Sequence, residues 1–293
     1  MSMTRDDTRD KTPLFSLILA TVGRTDELDR MFVSLAAQTL HDFEVVVVDQ
    51  NADDRLKPHL DRARSLGIAL RHIRLTPPNL AAARNAGIAA ATGRYVGFPD
   101  DDCWYDCDLL EALARRFQRA DQPGGVIARW VEQDEQPASA ADLSWKRSSA
   151  FRDIPVCSIT LFCSLELCLK LEGFDPRLGV GQWFGAAEET DFAFRALREG
   201  ALFTYEPLAR VHHAVASAQP QVTLGMRNAL RHRARGTGAL YAKHRLPFWV
   251  VARGLVAPVV RPLLKGSLGA DLLAGWQITL GRLDGMLHWR RKH

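Results

Sequence analysis

Apolar positions in the N-terminal two thirds of the chain alternate between short unbroken runs and helical spacing. Phe15-Ser-Leu-Ile-Leu-Ala20 and Glu44-Val-Val-Val-Val48 read as strands, and the unbroken β-branched second run predicts burial on both faces, as in a parallel sheet. Between them, after a loop at Thr21–Thr25, Leu28, Met31, Phe32, Leu35 and Ala36 recur at helical spacing, with Thr25 as N-cap. Asp53 is the expected cap of a helix carrying Leu56, Leu60 and Ala63, and Ile68–Leu75 is a weaker third strand. Asn79 caps an alanine-rich helix running through Ala91, with Gly93 as its stop. Arg94–Phe98 is a fourth strand that runs into Pro99-Asp-Asp-Asp102, and Leu109, Leu110, Leu113 and Phe117 mark the next helix. Residues 132–155 are polar and irregular, a surface excursion; helical spacing returns over Ser164–Leu171 and Glu188–Leu197, with Gly200 as a stop, and Ala201–Tyr205 is a further strand. The alternation predicts an α/β fold with helices on both faces of its sheet.

Composition narrows the class. At 293 residues, 47% hydrophobic and 25% charged, the chain is neither disordered, collagen-like nor a coiled coil. Its five cysteines, Cys103, Cys107, Cys157, Cys163 and Cys168, form no CxxC pair, which argues against a disulfide framework or zinc ribbon and fits a reducing compartment. The segment MSMTRDDTRDK has no apolar core, so residues 1–12 are expected to be a disordered tail rather than a signal peptide.

Charge is divided unevenly. After His213 there are 13 Lys/Arg and 2 acids, a net +11, whereas the preceding 213 residues carry −7. In the tail, Phe248–Val260 is apolar but broken by Arg253 and Pro258, short of the about 18 uncharged residues of a spanning helix. Leu272–Leu287 with Trp276 forms a second such stretch before Trp289-Arg-Arg-Lys292. Basic residues mixed with Trp and Leu suit a helix lying in a membrane interface; the alternative is a helical extension packed on the first domain or in an oligomer. Nucleic acid is not an expected partner, because the acidic body would repel it and no binding motif is present.

Ligands of open α/β sheets bind beyond the carboxyl ends of the strands. Here Thr21, Asp49 and Asp100-Asp-Asp102 end strands one, two and four. Two unit charges about 4 Å apart repel by about 4 kcal/mol at an effective dielectric of 20. A divalent cation bridging the acids to a diphosphate would offset this, Mg²⁺ or Mn²⁺ being suited to oxygen ligands; a solvated acidic turn is the alternative. Arg84 sits on the helix before the acidic strand and can pair with phosphate, or with a surface acid. Glu188-Glu-Thr-Asp191 opens a helix, where acids favour the dipole and where one could act as general base. His212-His213 follows a strand and could supply an imidazole to the same metal, or be structural. A nucleotidyltransferase would need a Gly-rich phosphate loop where only Thr21-Val-Gly-Arg24 stands, and a dehydrogenase would need GxGxxG. A non-catalytic scaffold would not need both an acid triplet and a base candidate.

In order along residues 13–215, Ser16–Thr21, Ser34–Gln38, Phe43–Asp49, Ala83-Arg-Asn-Ala-Gly87, Gly93–Phe98, Asp100–Asp102, Gly173-Phe-Asp175, Glu188–Asp191 and His212-His213 resemble the family 2 glycosyltransferases of GT-A fold. The resemblance implies a mainly parallel mixed sheet flanked by helices, with residues 13–215 as catalytic domain and 216–293 as a basic amphipathic helical extension. It implies inverting transfer from a UDP-, dTDP- or GDP-sugar to a glycan or lipid-linked acceptor, in polysaccharide, capsule or lipid-linked glycan assembly, by a cytoplasmic enzyme at the inner face of the membrane. By resemblance Asp49 binds the nucleoside with the Thr21 region against the base, Asp100 lies near the ribose and Arg84 near the diphosphate, and Arg24 and Asp101 are further nucleotide-binding candidates. Asp102 then binds the metal with His213 or His212, the spacing from Pro207 favouring His213. The family's acidic pair, usually Glu-Asp, is here Glu188-Glu189; Glu189 is the first choice of base, with Glu188 and Asp191 as alternatives.

Overall fold

Side chains alternate along two central strands, β1 (Phe15–Thr21) and β2 (Phe43–Asp49), and so divide the interior into two layers. Phe15, Leu17, Leu19, Val45 and Val47 enter one core with Leu28, Phe32, Leu109 and Leu113; Ile18, Ala20, Val46 and Val48 enter the other with Ala83, Ile88, Phe192 and Leu197. The computed structural model describes residues 12–132, 156–213, 224–266 and 269–292. The expected N-terminal tail, apart from residue 12, and nearly all of the 132–155 excursion lie outside them.

The first core is covered by α1 (Asp26–Ala36), α2 (Lys57–Ser65) and α4 (Leu109–Phe117), the second by α3 (Leu80–Ala90), α5 (Leu165–Lys170) and α6 (Glu188–Arg198). With β3 (Leu70–Arg74), β4 (Tyr95–Gly97), β5 (Cys103–Tyr105), β6 (Gly125–Trp130), β7 (Leu161–Ser164) and β8 (Phe203–His213), the eight strands run in the order β3-β2-β1-β4-β7-β6-β8-β5. The β1/β2, β1/β4, β2/β3 and β6/β8 pairs are parallel; β4/β7, β6/β7 and β5/β8 are antiparallel. The sheet is therefore mixed and mainly parallel. Strand order reverses about β1, which opens a crevice at its carboxyl end.

Several local signals resolve differently from expectation. Thr25 holds the cap position of α1 without a capping bond; Asp26, Glu27 and Asp29 in the first turn favour the dipole instead. Asp53 does not cap α2, which begins at Lys57 with Pro58 in its first turn, because its carboxylate is engaged by Arg55 Nε at 2.7 Å. Asn79 does cap α3, accepting from Ala82 N at 3.0 Å. Gly93 lies beyond the helix end at Ala91; its role is close passage, since a Cβ there would stand 2.6 Å from the Phe15 carbonyl carbon. β8 does not stop before Pro207. A register shift opposite Ala128/Arg129 of β6 absorbs the proline, and the strand continues to His213.

The extension forms α7 (Leu224–Lys243), α8 (Phe248–Leu264) and α9 (Ala270–Lys292). α7 and α9 touch through glycines: a Cβ at Gly238 would lie 2.0 Å from Arg282 O, and one at Gly285 2.0 Å from Arg235 O. The helices also pack on the sheet domain. Ala239, Leu240 and Trp289 form a core with Leu178 and Phe184, and Lys243 Nζ bridges Asp175 at 2.7 Å and Asp191 at 2.8 Å. α8 leaves Phe248, Trp249, Val256, Val260, Leu263 and Leu264 exposed.

Candidate active site

Parallel pairing sets Thr21 directly beside Asp49 at the carboxyl ends of β1 and β2. Thr21 Oγ1 donates to Asp101 Oδ2 at 2.7 Å. Asp49 is fully buried; its Oδ1 accepts from Asn51 N at 2.9 Å and Asn51 Nδ2 at 2.8 Å, and its Oδ2 stands 3.0 Å from His72 Nε2. Arg24 Nη1 lies 2.6 Å from both Asp101 Oδ1 and Asp102 Oδ2, bridging two members of the triplet. The guanidinium keeps its proton: burial would lower its pKa, but bonding and charge from Asp101 and Asp102 outweigh that and raise it.

Arg84 reaches the site because α3 presses on β1. A Cβ at Gly87 would lie 2.2 Å from Ile18 Cγ2, so only glycine lets the helix sit this close. The guanidinium, 2% exposed, stands 3.2 Å from Glu188 Oε1, 3.3 Å from Asp100 Oδ1 and 3.7 Å from Glu189 Oε1. Burial alone would lower its pKa, but the charges of Glu189, Asp100 and Glu188 raise it. Burial also pushes Asp100 up, with Arg84 opposing. Glu188 is pushed up to about 7, by burial first and then by the charge of Glu189, again against Arg84. Five carboxylates thus share two guanidiniums here, an excess of negative charge that favours a further cation.

The turn into α6 aims the glutamates. Ala187, with φ 85° and ψ 11°, adopts a left-handed conformation that a non-glycine residue holds only at a cost of about 1 kcal/mol or more. α7 backs this turn: a Cβ at Gly236 would lie 2.1 Å from Ala186 O, and one at Gly185 2.1 Å from His232 Nδ1. Glu188 is 3% exposed and Glu189 18%. Asp191 is held elsewhere, its carboxylate taken by Arg195 at 2.9 Å, Lys243 at 2.8 Å and His244 at 2.9 Å.

The two histidines separate because adjacent strand residues face opposite ways. Pairing of Cys103 with His213 across β5/β8 brings His213 Nε2 to 3.0 Å from Asp102 Oδ1. That buried oxygen has the Nε2 approach as its one ion-pair contact among the described residues, and His213 Nδ1, also buried, has no hydrogen-bond partner among them. A carboxylate oxygen and an imidazole nitrogen, both short of partners, fit a divalent ion such as Mn²⁺ completed by phosphate oxygens. Cys103 lies in the same cluster, but burial pushes its thiol well above the usual range, which disfavours the thiolate that would bind metal. His212 is held apart: Nδ1 lies 2.8 Å from Glu132 Oε1, Nε2 lies 2.9 Å from Asp106 Oδ1, and the ring stacks on Trp104.

The family model for "Glycosyl transferase family 2" matches residues 16–156, the stretch that supplies Thr21, Asp49, Arg84 and the acid triplet. The match covers 141 of the chain's 293 residues, and over that stretch the chain is similar to glycosyl transferase family 2. Among its curated relatives, the Pre-mycofactocin glycosyltransferase of Mycobacterium tuberculosis is 29% identical over 270 residues, covering 85% of this chain and 51% of that protein. The succinoglycan biosynthesis protein ExoO of Rhizobium meliloti is 35% identical over 122 residues, covering 41% of this chain and 33% of that one. The chain spans between about a third and a half of the length of such relatives. Solved structures share the fold. The mannosyltransferase PcManGT of Pyrobaculum calidifontis, in complex with GDP-Man and Mn²⁺, superposes with a TM-score of 0.65 at 17% identity, covering 96% of this chain and 88% of that one. S. aureus TarS 1-349 with UDP-GlcNAc gives 0.58 at 15%, with 92% of each chain covered. The chain thus has a GT-A fold.

Sequence reasoning did not single out His72, Asn51 or Glu132. His72 and Arg74 alternate with Ile73 on β3 in register with the end of β2, a period-two signal that places polar side chains beside Asp49. Nothing in the sequence reveals the β5/β8 pairing that selects His213.

Proposed function

We propose that this chain is an inverting family 2 glycosyltransferase that moves a sugar from a nucleotide-diphosphate sugar to an acceptor hydroxyl. The convergence of the Asp100–Asp102 triplet, Arg84 and the Glu188–Glu189 pair on one crevice carries the reading. In it, Asp49 takes the nucleoside with Thr21 against the base, Asp100 lies near the ribose, Arg84 lies near the diphosphate, and Arg24 and Asp101 complete the nucleotide site. Asp102 and His213 would hold Mg²⁺ or Mn²⁺, which when bound neutralises charge on the departing diphosphate. The solved neighbours with GDP-Man and Mn²⁺ or UDP-GlcNAc support a nucleotide-sugar donor.

Glu189, the less buried glutamate, accepts the proton of the acceptor hydroxyl. The oxygen attacks the anomeric carbon from the side opposite the diphosphate, a C–O bond forms, and the bond to the diphosphate oxygen breaks with its electron pair leaving on the nucleotide. Glu188 stays with Arg84 and orients it. The acceptor is read as a glycan or lipid-linked glycan, in polysaccharide, capsule or lipid-linked glycan assembly by a cytoplasmic enzyme at the inner face of the membrane. No described helix is long and apolar enough to cross a membrane; the exposed apolar row and basic residues of α8 support contact with a membrane surface. Incubation with labelled UDP-, GDP- and dTDP-sugars and a mixed glycan acceptor tests the reading. It predicts transfer from one donor with the product's anomeric configuration reversed by NMR; retention of configuration would contradict it.

A further inference from the structure

A half-open cavity of about 680 Å³ lies between α7, α8 and α9 of the helical extension, and none of its lining residues belongs to the acid-triplet site. Arg253, Arg261 and Arg282 line it with Tyr241, Pro258 and Ile278, and no acid is among its lining residues. No described carboxylate lies within ion-pair distance of any of the three arginines. Arg253 and Arg261 are exposed and stand at the mouth, while Arg282 is half-buried, donates to Gly254 O through Nη1 and leaves its buried Nε without a hydrogen-bond partner. Burial raises the pKa of the Tyr241 hydroxyl, with the charges of Arg282 and Arg253 opposing, and Gly254 lets that hydroxyl approach α8 so closely that a Cβ there would lie 2.1 Å from it. Three guanidiniums without counter-charge around one space are an arrangement that self-repulsion disfavours unless an anion joins them. Planar forked donors match phosphate oxygens better than any other common anion's geometry except carboxylate's.

We propose that this cavity is a binding site for a phosphoryl group, separate from the donor site. Val256, Val260 and Leu264 follow Arg253 at i+3, i+7 and i+11 on the same exposed stripe of α8, so an amphiphile could seat its phosphate on the arginines while its apolar part lies along the helix. The phosphoryl group comes from a lipid headgroup or from a soluble phosphate ester. The inference deepens the membrane-surface reading given above and rests on it only for the lipid source.

The test uses the full chain and the double variant Arg253→Gln/Arg261→Gln, with Arg282→Lys as a second variant that keeps a charge to bond Gly254 O. Circular dichroism and nucleotide-diphosphate binding confirm that each is folded. Two probes are applied: inorganic phosphate against chloride at equal ionic strength, and sedimentation with phosphatidylcholine vesicles with or without phosphatidylglycerol. Phosphate is expected to raise the parent's melting midpoint by about 2 °C or more and to leave the double variant unmoved. For a lipid source, partitioning onto anionic vesicles falls by about fivefold for each arginine replaced. Phosphate stabilisation with no vesicle binding supports the cavity, assigns a soluble ester and refutes the membrane reading. Equal vesicle binding by parent and variants, with no phosphate effect, overturns the cavity and leaves the membrane reading standing. No difference with either probe and no vesicle binding overturns both.

Discussion

Replacing Glu188 with glutamine isolates the electrostatic cost of the glutamate pair. Glu188 is buried against Arg84 beside Glu189, and its carboxyl is raised from 4.5 to about 7. Between those two values the folded chain holds a proton that the unfolded chain has released. Folding is therefore favoured at acid pH, and stability declines as pH rises through the folded value. The shift corresponds to about 3 kcal/mol in full, of which about 2–3 kcal/mol falls between pH 5 and 8. Glutamine keeps the shape and an acceptor for Arg84 Nη1 but cannot ionise. Urea unfolding measured at half-unit steps from pH 5 to 8 should show the parent losing about 2–3 kcal/mol more than the Glu188→Gln variant over that interval. Titrating groups away from Glu188, Glu189 and Arg84 contribute to both curves and cancel in the difference. Parallel curves would refute the reasoning, because they would mean that Glu188 is ionised at little cost in the folded chain.

Glu189→Gln should leave nucleotide binding intact, by titration calorimetry, and lower sugar transfer by about 10²–10⁴-fold. Asp102→Ala and His213→Ala should each weaken Mn²⁺-dependent stabilisation by nucleotide diphosphate in a thermal-shift assay, while His212→Ala, which only loosens the Asp106–Glu132 bridge, should not. Lys243→Met removes one cation shared by Asp175 and Asp191, which keep Arg177 and Arg195, and should cost about 2 kcal/mol in urea unfolding. Gly236→Val drives a side chain into Ala186 O beneath the turn into α6 and should lower transfer by more than it weakens nucleotide binding, read as separate kcat and binding measurements.

The strand ends were legible because a parallel pair buried on both faces must be apolar until it reaches polar residues at its exit. Thr21, Asp49 and the triplet therefore mark the crevice directly. Asn79 was legible for the same local reason, a cap with its acceptor three residues ahead of a backbone donor. His213 was legible as a candidate, but its contact with Asp102 was not, since that depends on an antiparallel partner far away in the chain and on a bulge that carries β8 past Pro207. Asp191 reads in sequence like its neighbours Glu188 and Glu189, yet Lys243 and His244 of α7 claim it, a contact no periodicity encodes. The tail's charge excess was visible, but its partition was not. Lys243 turns inward to the sheet domain, while Arg253, Arg261 and Arg282 face a cavity without acids.

A nucleotide panel against the full chain tests the central claim most directly. Thermal shift is read for UDP, GDP, dTDP and ADP, each with and without Mn²⁺, on the parent and on Asp102→Ala. The account predicts that one diphosphate stabilises the parent in a Mn²⁺-dependent manner and that the Asp102→Ala variant loses the metal-dependent part. An unmoved melting midpoint with every nucleotide, or equal stabilisation with and without Mn²⁺ in both proteins, would contradict it.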